Sequence, residues 1–233
     1  MRKFSSAVFT AFFASGLAAD SVTIGYSLVY SGDEKPVGDS PWLTATFTDT
    51  KGESAEAVLL TLGASGLRNS EFASSFYFNF RESIDPGTVR ISEVARENFS
   101  GRANFRLDRQ DDQNAGGGFR FDFEVDLPNS RRDRFGAGGV FSILLEREGG
   151  LSIYDLLVET LSEGYGESVS VAHVQSLSAG GSAWITSESR FSLDPGIGGA
   201  EVPDPSTWAA GAVMAGLVVF PLWRRRRSGA SGS

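Results

Sequence analysis

Hydrophobic and polar positions alternate with a period of two along most of the chain. In residues 21–30, Val22, Ile24, Tyr26, Leu28 and Tyr30 fall on one side. That alternation predicts a half-buried strand. Residues 32–41 read as a loop punctuated by Pro36, Gly38 and Pro41. Residues 42–48 and 55–62 read as a second and a third strand, with Asp49-Thr50-Lys51-Gly52 as the hairpin turn between them. Residues 71–80 put Phe72, Phe76, Phe78 and Phe80 on one face, and Asp85-Pro86-Gly87 makes a turn before a strand over 89–94. Phe119, Phe121 and Phe123 alternate with Arg120, Asp122 and Glu124 as one amphipathic strand. Residues 141–146, 153–158 and 169–174 complete the main set, with short final pieces at 184–186 and 190–193. Segments 64–70 and 153–162 leave room for one helical turn each. No sustained period of 3.6 precedes residue 207, and no internal repeat is present. The pattern predicts a mainly β fold: an antiparallel β-sandwich, jelly-roll-like, in which alternating faces pack sheet on sheet.

The two ends break this pattern. Residues 207–223 form a run of 17 without a charge, bracketed by Trp208 and Trp223. At about 1.5 Å per residue such a helix spans a hydrocarbon core at the short end of the usual range. Arg224, Arg225, Arg226 and Arg227 follow at once. By the positive-inside rule they form a membrane stop on the cytoplasmic side. The competing reading is a buried core helix with a basic tail, which four adjacent arginines disfavour. At the other end, Arg2 and Lys3 precede an apolar stretch over 8–14, and Gly16-Leu17-Ala18 has the small-x-small form that signal peptidase cleaves. Cleavage after Ala19 fits nearly as well, and the competing reading is an uncleaved amphipathic anchor. The organisation expected is a signal peptide over 1–18, a β domain over 19–195, a linker over 196–206, a transmembrane helix over 207–223 and a basic cytoplasmic tail over 224–233.

Between domain and helix stands Val202-Pro203-Asp204-Pro205-Ser206-Thr207-Trp208. Together with the helix and the arginine cluster, this resembles the PEP-CTERM sorting signal processed by exosortases in Gram-negative bacteria that make exopolysaccharide. The family usually has Glu between the prolines, where this chain has Asp204. The acid is kept and one methylene is lost. The resemblance implies that Val202–Trp208 is a sorting and processing motif, acted on by an exosortase-type partner. It implies an inner-membrane-anchored precursor that ends at the cell surface or outside the cell, with exopolysaccharide as a partner. Residues 41–49, 71–80, Ala172-His173-Val174-Gln175 and Trp184-Ile185 look like segments of one group within the same family. They support the class and add no mechanism.

Charge narrows the partners. Without its expected leader and tail the domain carries 15 basic and 28 acidic residues, a net charge of −13. Nucleic acid phosphates would repel it. No cysteine is present, so an exported domain must rely on its core alone. One histidine, His173, leaves little room for zinc or for a histidine-based triad.

The candidate chemistry is sparse. Asp108, Asp111, Asp112 and Asn114 precede three glycines, and oxygen ligands on a permissive loop suit Ca²⁺. An EF-hand starting at Asp112 would need a bidentate acid at its twelfth position, where Phe123 stands. A solvated hairpin loop is therefore the preferred reading, and Ca²⁺ is the one candidate cofactor. His173 sits in a strand, and Val169, Val171 and His173 share a face there. It reads as a half-buried, hydrogen-bonded structural residue. Trp42 and Trp184 are candidates for stacking on sugar rings, although aromatics at strand spacing are usually core. The expectation is a non-enzymatic surface or matrix protein associated with exopolysaccharide or biofilm. The alternative is a carbohydrate-binding module using exposed aromatics. A polysaccharide-modifying enzyme, which needs paired carboxylates in a cleft, ranks behind both.

Overall fold

Short runs of aromatic and β-branched residues, punctuated by glycine and proline, form strands throughout. The computed structural model describes residues 20–187, apart from 33, 53–55, 109–112, 117, 163–165 and 179. All of these belong to one unit, Met1–Phe191. The expected leader, sorting motif, apolar run, arginine cluster and final short strand at 190–193 lie outside the described residues.

The strands are β1 (Ser21–Gly32), β2 (Leu43–Lys51), β3 (Glu56–Gly63), β4 (Phe72–Phe78), β5 (Arg90–Glu97), β6 (Asn104–Leu107), β7 (Gln113–Ala115) and β8 (Phe119–Phe121). They continue as β9 (Phe123–Asp126), β10 (Phe135–Gly136), β11 (Val140–Glu146), β12 (Thr160–Ser162), β13 (Gly166–Ser168), β14 (Ser170–Gln175) and β15 (Ser182–Ser187). Two 3-10 turns, Pro86–Thr88 and Ile153–Asp155, interrupt them. The second replaces most of the strand expected over 153–158: Asp155 accepts the Ser152 backbone N–H at 3.0 Å and caps the turn.

Eleven strands form one antiparallel sheet in the order β5-β11-β3-β2-β1-β15-β14-β4-β9-β6, with β10 added on β4. The pairs β7-β8 and β12-β13 stand apart. Where the alternation predicted one sheet packed on another, the structure has one antiparallel sheet curling over itself, nearly as a barrel. Phe47 of β2 meets Phe78 of β4 edge to face at 5.5 Å, and Tyr26 of β1 meets Phe76 at 5.5 Å. Phe105 of β6, at one end of the strand order, stacks on Phe141 of β11 beside the other end, at 6.3 Å and 2°. The main core fills this interior, with Ile24, Leu43, Phe47, Leu60, Phe76, Phe123, Phe141 and Ile143 fully buried.

Three interruptions of pairing change which faces the side chains take. In β4 the register against β14 slips between His173 and Val174, leaving Ser74 unpaired. Ala73 then joins Phe76 and Phe78 in the main core, and Phe72 takes the other face beneath the Arg134 guanidinium. In β1 slips on both sides of Leu28 and Val29 put Val29 against the main core and leave Leu28 48% exposed. The expected single strand over Phe119–Phe123 is broken at Asp122. Phe119 and Phe121 enter a second, smaller cluster with Tyr77, Ala115 and Val171, while Phe123 enters the main core.

Candidate functional site

The loop after β4 lines a concavity among the described residues. Asn79 and Phe80 leave the strand and are pinned to the break between β8 and β9. The Phe80 N–H donates to Asp122 Oδ2 at 3.1 Å, and the Asp122 N–H donates to Asn79 Oδ1 at 2.9 Å. Arg81 is tied to the 3-10 turn at Ile153–Asp155. Its backbone N–H donates to the Asp155 carbonyl at 2.8 Å, its guanidinium donates to the Tyr154 carbonyl at 3.1 Å, and it pairs with the Asp155 carboxylate at 3.5 Å. Residues 158–161, running into β12, form the facing wall. Thr160 Oγ1 donates to the Arg120 carbonyl at 3.1 Å and ties that wall to β8.

These ties enclose a cleft of about 470 Å³. Phe80, Ile84, Pro86 and Val158 give it an apolar lining, and Glu82, Asp122 and Glu159 bring carboxylates to it. Leu161 lines it while 70% exposed. Sequence reading missed this site. Its residues come from segments far apart in the chain, and none carries a recognisable spacing.

The residues singled out in the sequence are scattered. Trp42 is only 5% exposed, and its indole N–H donates to the Gly38 carbonyl at 2.9 Å, so it offers no open stacking face. Trp184 is half-buried. His173 stacks on it at 4.4 Å and 16°, and a Cβ built on Gly116 would lie 2.4 Å from its Nε1. Gly116 therefore packs directly against the indole. Asp108 donates its backbone N–H to the Asp122 carbonyl at 2.8 Å. Asn114 is exposed in β7, opposite Arg120. Asp111 and Asp112 lie outside the described residues, and among the described ones no group of three or more acids or histidines is placed to hold a metal.

His173 is half-buried, as expected, but it faces away from the main core. Ala172 and Val174 point into that core, while Val171 joins the smaller cluster. Ser74 Oγ lies 3.0 Å from His173 Nδ1, and Gln175 Nε2 lies 3.5 Å away. Among the described residues these are its side-chain hydrogen-bond partners, and neither is a carboxylate. Burial pushes its pKa below the ordinary value.

Polar groups below the smaller cluster are matched to one another. Tyr26, fully buried, places its hydroxyl 2.5 Å from Ser170 Oγ, which donates to the Tyr77 carbonyl at 2.7 Å. The Tyr77 hydroxyl donates to Glu124 Oε1 at 2.8 Å, and Arg106 donates to Glu124 Oε2 at 3.0 Å. Burial raises the pKa of both tyrosines, so they act as neutral donors at ordinary pH. No buried side-chain nitrogen or oxygen among the described residues lacks a partner. That arrangement suits holding a structure together.

Among the described residues, no helix is long and apolar enough to cross a membrane. No family model, curated protein or solved structure matches the chain.

Proposed function

We propose that the chain is an exported, non-enzymatic protein of the cell surface or extracellular matrix in a Gram-negative bacterium. A signal peptide over 1–18 directs export. A sandwich-like, jelly-roll-related β body works outside the cytoplasm. The helix over 207–223 holds the precursor in the inner membrane, with Arg224–Arg227 as its cytoplasmic stop. An exosortase-type enzyme acts at the Pro203-Asp204-Pro205 stretch, and extracellular polysaccharide is the partner at the destination. The observation that carries this reading is the order of parts at residues 202–227: a proline-punctuated motif, 17 uncharged residues, then four arginines. The curled sheet supports it, because a cysteine-free domain stabilised by its core does not depend on the redox state of its surroundings.

Intact mass of the protein recovered from envelope and medium of its host tests the proposal. Loss of about the first 18 residues, and of everything after the Pro203–Pro205 stretch, is the expected result. A mass that retains both ends would overturn the sorting route. Retention of the arginines alone would make the helix a permanent anchor and would place the failure at Asp204.

A further inference from the structure

We propose that residues 96–102, where β5 turns toward β6, and residues 128–134, between β9 and β10, form a docking surface for a carboxylate-bearing polysaccharide. The expected mature domain is strongly acidic, with 15 basic residues against 28 acidic. Five of those 15, Arg96, Arg102, Arg131, Arg132 and Arg134, fall within these two short segments, beside two acids, Glu97 and Asp133. The patch is therefore opposite in sign to the body that carries it.

The fold brings the two segments into contact. A Cβ built on Gly101 would lie 2.2 Å from Pro128 Cγ and 2.7 Å from Asp133 Cβ, so only glycine permits this approach. Ser100 Oγ donates to Asp133 Oδ1 at 2.7 Å, and Arg96 donates to the Ser100 and Gly101 carbonyls at 3.2 and 2.7 Å. Arg134 lies over the Phe72 ring at 4.2 Å, with its Nε donating to the Asn129 carbonyl at 3.1 Å. The Asp133 N–H closes a turn onto the Ser130 carbonyl at 3.0 Å, which puts Arg131 and Arg132 at the corner.

Arg102, Arg131 and Arg132 are exposed, and no ion pair among the described residues engages them. Two nearby acids are already taken. Glu93 bonds to Arg96, which holds its carboxyl below the ordinary value, and Arg102 adds to that effect. The Ser130 and Ser100 hydroxyls hold the Asp133 carboxyl down, and Arg132 adds to it. Three guanidinium groups thus stay available on a supported frame. Each is a planar fork of donors that fits a carboxylate through two bonds at once.

The kind of polyanion follows from what the patch lacks. None of the exposed large apolar side chains among the described residues lies in either segment. Nothing here would enter a bilayer or anchor a protein partner, whereas a hydrated polyanion needs only charge and donors. Repulsion from the rest of the body is screened beyond about 8 Å at physiological salt, so a chain at the patch meets the local arginines. A uronate chain spaces its carboxylates one to a sugar. Duplex nucleic acid carries a charge about every 1.7 Å and would press more of them on the acidic surroundings. The inference rests on the extracellular reading for the presence of polysaccharide and adds its charge. The two fail separately, because binding is read on purified protein whatever its cellular route.

The test is calorimetric titration of the full chain in detergent micelles with three probes: a hexauronate, a neutral hexaglucan and an inorganic polyphosphate. The terminal arginines offer a second cationic surface, so each titration is repeated with Arg224→Gln, Arg225→Gln, Arg226→Gln and Arg227→Gln combined. The hexauronate is expected to bind both forms, more weakly as salt rises from about 0.05 to 0.2 M, and the hexaglucan to neither. Arg102→Gln, Arg131→Gln and Arg132→Gln together should weaken uronate binding by about tenfold or more. All three positions are exposed, so the thermal midpoint should stay put. Silence with the hexauronate at about millimolar concentration would overturn the proposal. So would binding that vanishes with the terminal arginines, binding untouched by the triple variant, or polyphosphate held more tightly than the uronate.

Discussion

His173 shows how one side chain can couple the body to pH. The ring is stacked on Trp184 and bonded to Ser74, and its pKa is pushed down because burial penalises the imidazolium. The unfolded chain therefore takes up a proton near pH 6.5 that the folded ring resists. Stability is complete above that value and falls as the pH drops through it toward the lower folded pKa. Urea midpoints measured at half-unit steps from about pH 7.5 to 5 should show this loss. His173→Gln should flatten the slope while lowering stability overall through lost stacking. An unchanged slope would assign the acid sensitivity to carboxylates. The existence of this half-buried histidine was legible in the sequence. Its orientation was not, because a face common to Val171 and His173 can belong to either side of a sheet.

At the scale of elements, strands were legible and their interruptions were not. A period of two reports which side chains alternate, and a single unpaired residue reverses the parity of everything beyond it. Ser74 does this in β4, where it sends Phe72 away from Phe76 and Phe78. The three phenylalanines from 119 to 123 alternate perfectly and still serve two clusters, because Asp122 breaks the strand to hold the cleft loop. A helical turn within 153–162 was allowed by the sequence and is found at Ile153–Asp155, but its tie to Arg81, and with the break at Asp122 the cleft itself, joins segments that no spacing connects.

The edge strand β5 carries another such device. Its register against β11 slips between Ser142 and Ile143, leaving Val94 unpaired and 56% exposed. Glu93 and Arg96 stand opposite Ile143 and Phe141, on the side where those residues enter the core, and they pair with each other. A bulge plus charges on the core side blunts an edge that could otherwise pair with another chain. Replacing both, as Glu93→Leu with Arg96→Leu, should produce concentration-dependent association in sedimentation velocity. A double variant that stays monomeric would mean that the bulge at Val94 is sufficient protection.

For the molecule as a whole, the decisive feature is the seam where the curled sheet ends. In the strand order β5 and β6 are the two ends, so no backbone ladder joins them. Side chains span the gap instead. Phe105 stacks on Phe141, and Phe99 stands edge-on to both Phe135 and Phe141 at 5.3 and 5.4 Å. Arg96 donates to the Ser100 and Gly101 carbonyls at 3.2 and 2.7 Å, and Asn98 donates to the Gly138 carbonyl at 2.8 Å. Side-chain contacts of this kind open more readily than a continuous ladder buried in the sheet centre. Amides of β5 and β6 should therefore exchange with solvent well before those of β2, β3 and β14. Phe99→Ala removes the ring shared by both sides and should cost about 3 kcal/mol. Its effect should appear first as faster exchange in β5 and β6, with β14 and β15 slowed by their two-sided pairing. Uniform acceleration across all strands would show that the sheet opens as one cooperative unit. The seam would then carry as much of the global stability as the central ladder.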